Sequence, residues 1–207
     1  LDAEIPKENL ASLKGVTSGT APLSPALERQ FEKLYDIPVL PAYGATEFPG
    51  RGAGWTLEDH EHYGESKIGS VGRARPGVKL RIVDTQSGQP VAIGEIGLIE
   101  LFARTAATLD GEEPKWLRTT DLAFLDEDDF LWIKGRADAA IIRGGFKILP
   151  EDVVAVLEQH PDVLEASVVG LSDSRLGQVP AAAIVPRSGA NPISVEDLMA
   201  HARKYLT

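Results

Sequence analysis

The apolar pattern changes once along this chain, at Gly135-Arg136, and that change dictates two differently built halves. Ahead of it the sequence reads mostly as strands. Val78-Lys79-Leu80-Arg81-Ile82 alternates apolar and polar residues, the period of a half-buried strand. Ile96–Phe102 reads as a strand buried on two faces, and Leu122–Leu125 with Phe130–Ile133 flank Asp126-Glu127-Asp128-Asp129 as a β-hairpin. Asp84–Pro90 reads as a turn, and Ile37–Ala42, broken by Pro38 and Pro41, as a short buried strand feeding a loop. One helix is expected, from Ser24 to Tyr35, with Ser24 as cap, Pro25 in the first turn, and Leu27, Phe31, Leu34 and Tyr35 on one face. From Tyr43 to about Ser70 the sequence reads as a loop rich in Gly and charge, and loops of that length are often functional.

Beyond Gly135 the spacing turns helical. Pro150–His160 reads as a helix with Val153, Val154 and Leu157 inward, Val163–Leu171 and Val179–Val185 as strands, and Ser194–Leu206 as a helix. A capping box of Ser194 and Asp197 opens that last helix. The expected fold class is α/β in the mixed α+β sense: a β-rich domain over 1–137, then a small βαββα domain over 138–207.

Composition narrows the function. The 207 residues suit one large domain or two small ones, and 21 Lys+Arg against 31 Asp+Glu give a net charge of −10. Sequence-independent binding to nucleic acid or anionic lipid needs clustered positive charge, which that balance opposes. No apolar run reaches the roughly 18 residues of a membrane-crossing helix, and no basic-then-apolar leader opens the chain. With no Cys, disulfides, thiolate catalysis and Cys-ligated zinc are excluded together, and a reduced, cytoplasmic setting is expected. The chain opens on Leu1 and its one Met is Met199, so a piece of a longer product is expected.

Four segments carry residue types suited to nucleotide chemistry. Ser18-Gly19-Thr20-Ala21-Pro22 is a small-residue turn before a helix, where backbone approaches a planar ligand closely; the same residues also make a plain turn. Tyr43-Gly44-Ala45-Thr46-Glu47 lies where a strand meets the long loop. Its ring offers a stacking face, its hydroxyl a phosphate contact and its carboxylate a ligand for Mg2+. Arg118-Thr119-Thr120-Asp121 precedes the hairpin, and an Asp accepting ribose hydroxyls recurs in nucleotide sites, though Asp121 reads equally as a strand-end cap. Gly135-Arg136-Ala137-Asp138 and Arg143-Gly144-Gly145-Phe146-Lys147-Ile148 lie at the boundary, where paired glycines line a tunnel, absorb dihedral change, or form a bulged linker.

Three features are set aside. Gly50-Arg51-Gly52-Ala53-Gly54 lacks the Lys-Ser or Lys-Thr of a phosphate loop. His60-Glu61-His62 falls in the loop without partners at ligand spacing. The acidic run 126–129 reads as a solvated turn without the spacing of a calcium loop.

Taken in order, the four segments resemble the core motifs of the ANL superfamily, which includes acyl- and aryl-CoA synthetases, adenylation domains and luciferases. The resemblance runs from about Ser18 to Val185, and Gly145-Phe146-Lys147-Ile148-Leu149-Pro150-Glu151 is similar to the AMP-forming acyl-CoA synthetase form. It implies the distal part of a large adenylation domain plus the first part of a C-terminal lid. It implies that Thr20, Ala21 and Pro22 lie beside the adenine and acyl pocket, that Tyr43 stacks on the adenine with Gly44 also in the nucleotide site, that Thr46 bonds the α-phosphate, and that Glu47 holds Mg2+. Asp121, helped by Arg136, would take the ribose hydroxyls. Asp138 would be the hinge of the lid, and Gly144 and Gly145 would border the CoA tunnel. ATP or AMP, Mg2+, CoA and a small carboxylic acid are the implied cofactors and partners, in the ligase chemistry of fatty acid metabolism.

Departures accompany the resemblance. The family's Gly-rich loop ending in Lys and its second, late Lys are absent, Thr120 stands where the family has Gly, and Ala139 where an acidic residue is common. The expectation is therefore a chain inactive alone, with a weak nucleotide-binding module or a self-associating interaction protein as alternatives.

Overall fold

The computed structural model describes residues 5–45, 48, 50–103, 115–189 and 193–206. The chain divides into two compact units, Leu1–Ile133 and Lys134–Thr207.

In the first unit one sheet has the order β1-β2-β3-β4, formed by β1 (Val16–Ser18), β2 (Val39–Tyr43), β3 (Ala53–Gly54) and β4 (Arg73–Ala74). β1 and β2 run parallel, with Val16 opposite Val39 and Ser18 opposite Pro41. Parallel neighbours need a crossover, and α1 (Pro25–Tyr35) supplies it. Leu27 N–H donates to Ser24 Oγ at 3.2 Å, Pro25 fills the first turn, and Asp36 ends the helix at φ 58°.

The expected face of α1 is met in part: Tyr35 is buried and Phe31 half-buried, but the leucines are not. Leu27 and Leu34 stand 43% and 42% exposed, whereas Glu28 and Tyr35 are buried. Val39 N–H donates to Glu32 Oε1 at 2.8 Å, which ties the stripe holding residues 28, 32 and 35 to β2 and rotates the leucines outward.

Residues 50–70 also depart from the open loop read in the sequence from Tyr43 to about Ser70. They contain β3 and a second helix, α2 (Leu57–Tyr63). Thr56 and Asp59 cap it reciprocally: Asp59 N–H donates to Thr56 Oγ1, and Thr56 N–H to Asp59 Oδ2, both at 3.0 Å. His60 and His62 therefore sit on a helix. His60 Nε2 donates to Glu32 Oε1 and His62 Nδ1 to the Glu58 carbonyl, each at 2.8 Å.

The second sheet has the order β5-β6-β7-β8, from β5 (Val78–Val83), β6 (Gly97–Ala103), β7 (Leu117–Leu125) and β8 (Leu131–Arg136). Ile82, Ile99, Leu101, Ala123 and Leu131 from this sheet pack with Tyr43, Phe48 and Ala53 in one core. Each fully buried Ile or Leu there is worth roughly 1.5–3 kcal/mol. The acidic run between β7 and β8 is a turn with Glu127 and Asp129 exposed as expected, but Asp126 is buried. It accepts from Lys67 Nζ at 3.0 Å, Trp132 Nε1 at 2.8 Å and Phe130 N–H at 3.0 Å.

The second unit has the sheet order β10-β9-β12-β11, from β9 (Ile141–Arg143), β10 (Phe146–Ile148), β11 (Val163–Asp173) and β12 (Gly177–Pro186). Two helices, α3 (Pro150–Leu157) and α4 (Val195–Ala202), complete it. Ile141, Leu157, Val163, Ala166 and Val168 form its core. The hairpin β9–β10 adds a strand to the expected βαββα order. At α4, Asp197 N–H donates to Ser194 Oγ at 3.1 Å, but the Asp197 carboxylate accepts from the Ser194 hydroxyl at 2.7 Å. Half of the expected box is formed.

Candidate functional site

Tyr43 closes β2 with its ring buried, and its hydroxyl donates to Asp121 Oδ2 at 2.5 Å. The two residues are 78 apart in sequence, so the fold brings two of the four sequence motifs to one point. A local irregularity places Asp121. Leu98 pairs with Leu122 and Glu100 with Arg118, so Thr119, Thr120 and Asp121 together face the single residue Ile99. This is a bulge, which bends a strand and re-aims its side chains. Thr119 Oγ1 donates to the Ile99 carbonyl and accepts from Asp121 N–H, both at 3.2 Å, and so pins the bulge. Sequence reading passed over Thr119; the doubled Thr ahead of the Asp was the signal. Thr120 lies within β7 outside the left-handed region, so a side chain is tolerated where the family has Gly. Its hydroxyl oxygen is buried and has no partner among the described residues.

The turn after β1 lies beside the same strand end. A Cβ on Gly19 would stand 3.2 Å from the Ala42 carbonyl oxygen, one residue before Tyr43. Thr20, at φ 69°, holds the left-handed conformation that β-branched residues rarely adopt, and it is exposed with Ala21 and Pro22. A Cβ on Gly44 would stand 2.7 Å from the Gly50 carbonyl oxygen, and Gly52 N–H donates to the Tyr43 carbonyl at 2.9 Å. The glycine run set aside as a phosphate loop thus folds back on the Tyr43 segment. Thr46 and Glu47 lie outside the described residues. Among the described residues no group of three His, Cys, Asp or Glu is placed to hold a metal ion.

On the other side of the sheet, Glu100 is buried between two guanidinium groups. Arg81 Nε donates to its Oε2 and Arg118 Nε to its Oε1, each at 2.8 Å. Burial alone pushes this carboxyl up, but the hydrogen bonds from Arg81 and Arg118 hold it below the usual carboxylate range.

In the second unit, Arg136 and Asp138 form a two-point pair, Nε to Oδ1 at 3.0 Å and Nη2 to Oδ2 at 2.9 Å. The guanidinium expected at the ribose is engaged here by the residue expected to be the hinge. Gly144 and Gly145, at φ 57° and 87°, make the turn of the β9–β10 hairpin. Two consecutive left-handed residues call for glycine.

Both units match known families. Residues 1–111 match the AMP-binding enzyme family, and residues 153–207 the AMP-binding enzyme C-terminal domain. The chain is 33% identical, over 97% of its length, to peroxisomal OPC-8:0-CoA ligase 1 of Arabidopsis thaliana, and spans 38% of that protein. ATP-bound MatB from Rhodopseudomonas palustris shares the fold at a TM-score of 0.82 and 26% identity, covering 97% of this chain and 41% of that one. The amide bond synthetase McbA from Marinactinospora thermotolerans gives 0.79 and 31% identity, covering 95% of this chain and 41% of that one. The family matches and the mixed α/β fold thus define the class of adenylate-forming enzymes of the ANL superfamily. This chain belongs to its AMP-binding enzyme family, with CoA ligases among the relatives. No helix among the described residues is long and apolar enough to cross a membrane.

Proposed function

We propose that this chain carries the adenosine side of the active site of an ATP-dependent, AMP-forming acid–CoA ligase. The supporting observation is the Tyr43–Asp121 contact, which sets an aromatic face and a carboxylate together at the end of β2. The ring stacks on adenine and Asp121 accepts from the ribose hydroxyls, while the turn at Thr20, Ala21 and Pro22 borders the base. In the first half-reaction a carboxylate oxygen attacks the α-phosphorus of ATP, and the bond to the β-phosphate oxygen breaks to release pyrophosphate. In the second, the CoA sulfur attacks the acyl carbonyl carbon, losing its proton as the bond to AMP breaks.

Carboxylate and phosphate are both anions, so hydrogen-bond donors and local positive charge must offset their repulsion. Mg2+ supplies such charge when bound, and Glu47 is the residue assigned to hold it. Asp138 as hinge, and Gly144 and Gly145 at the CoA tunnel, complete the assignment. The absence of Cys fits a cytoplasmic setting.

Calorimetry with AMP tests the reading. A base stack contributes about 1–3 kcal/mol and a charged hydrogen bond about 1.5–3, so after association costs the Kd falls near millimolar, about −4 kcal/mol. Asp121→Ala must abolish that binding, and unchanged affinity would sink the assignment. ATP–pyrophosphate exchange by the 207-residue chain alone is expected to stay at background.

A second reading concerns the acceptor. The likeness to an amide bond synthetase at 31% identity supports an amine in place of the CoA thiol. Offering both acceptors to the acyl-adenylate and separating thioester from amide by mass distinguishes them.

A further inference from the structure

Between α1 and the β1–β2 pair lies a cavity of about 260 Å3. Val16, Leu23, Phe31 and Val39 give it apolar walls, and Ser18 and Glu28 are the polar side chains among its lining. Glu28 is 4% exposed, and its Oε2 has no hydrogen-bond partner among the described residues. An acid in apolar surroundings keeps neither its hydration nor a substitute for it. Burial pushes the Glu28 carboxyl up to about 7, the negative charge of Glu32 adds to this, and Arg29 opposes it.

The charged surroundings favour a cation. On α1 itself, Glu32 is the nearest acidic neighbour, and Arg29 is half exposed with its guanidinium 3.8 Å from Glu65. From α2, His60 bonds Glu32 Oε1. β1 and β2 bring no ionisable side chain to the lining.

We propose that this cavity binds a small cationic amphiphile, an aryl- or alkyl-ammonium ion whose apolar body fills the space and whose N–H groups donate to Glu28 and Ser18. An apolar cavity of about 150 Å3 is large enough for benzene, so a phenyl ring on a two-carbon ammonium tail fits this one. A carboxylate substrate is repelled by Glu28 and Glu32, which separates this site from the acid pocket of the proposed ligase. The proposal does not depend on that ligase reading.

The probes are 2-phenylethylammonium and its uncharged analogue 2-phenylethanol, titrated against the chain while the amide signals of Val16, Ser18 and Val39 are followed. From pH 6 to pH 8 the ionised fraction of Glu28 rises from about a tenth to about nine tenths, so ammonium binding tightens about tenfold. Alcohol binding does not change with pH. In the native chain, saturating ammonium lowers the Glu28 carboxyl titration seen by 13C NMR, and the alcohol leaves it in place. Glu28→Gln keeps the alcohol and loses the pH dependence. If that variant does not fold, the carboxyl titration of the native chain decides alone. Failure of either probe to bind, equal ammonium affinity at both pH values, an unmoved Glu28 titration, or pH dependence surviving in Glu28→Gln overturns the proposal.

Discussion

The Tyr43 hydroxyl meets Asp121 Oδ2 at 2.5 Å, from a ring buried in one sheet to a carboxylate on a bulge of another. Tyr43→Phe keeps the ring and removes this bond to a charged group, so it lowers stability by about 1.5–3 kcal/mol in urea melts. It frees Asp121 for ribose, so AMP affinity changes by less than about threefold, around half a kcal/mol. Asp121→Ala instead loses AMP binding. Equal losses in the two variants would contradict the division of roles between stacking and ribose contact.

Thr20 at φ 69° carries a Cβ where glycine is at ease. Thr20→Gly relieves about 1–2 kcal/mol of left-handed strain and gives back about 0.5–1 kcal/mol through the freer unfolded chain. A small rise in Tm is expected. A fall would mean that the Thr side chain makes a compensating contact.

The carboxylates of this chain respond to pH in opposite directions. Hydrogen bonds hold Asp59, Glu100 and Asp126 below their ordinary values despite burial. Their stabilisation is full above the unfolded carboxylate range and is lost as pH falls through the lowered values. Glu28 is raised to about 7 from 4.5, so its contribution is full below 4.5 and is lost as pH rises toward 7. Glu28→Gln therefore gains on the native chain between pH 5 and pH 8, by roughly 1–3 kcal/mol in denaturant melts. A gap independent of pH would refute the placement of Glu28.

Asp126 and Glu127 are neighbours with different tasks. Asp126→Ala leaves Trp132 Nε1 and the Phe130 N–H without their acceptor, while Lys67 keeps Asp128 at 2.6 Å, and is expected to cost about 2–3 kcal/mol. Glu127 is exposed, and Glu127→Ala is expected to stay within about 0.5 kcal/mol. Paired thermal melts check the contrast.

Where one residue's neighbours in sequence decide the outcome, the chain was legible. The Ser24 cap of α1, the alternation of β5 and the β7–β8 hairpin all follow from local chemistry. Of the inward face of α1, Tyr35 and Phe31 were legible, but the outward turn of Leu27 and Leu34 was not, because Glu32 reaches Val39 seven residues on. Thr56 and Asp59 did announce α2, but the Gly and charge around them concealed it. At the site, Tyr43 and Asp121 were each readable as types, while their meeting depends on a bulge that no periodicity shows. Arg136 was legible as a cation, but not as one already engaged by Asp138.

The bulge at Thr119–Asp121 gives β7 slack at one point. An unbroken ladder transmits a one-residue slip along its whole length and turns every side chain over. Here the surplus is two residues, absorbed opposite Ile99, and an even number keeps the stretches before and after in the same alternation, with Leu117 and Ala123 both packed into the same core. A carboxylate can thus be re-aimed at the strand surface while the hydrophobic packing on either side stays in step. Substitution within that short segment can retune the site without rewriting the sheet that carries it, whereas loss of a single residue would turn one flank of β7 over.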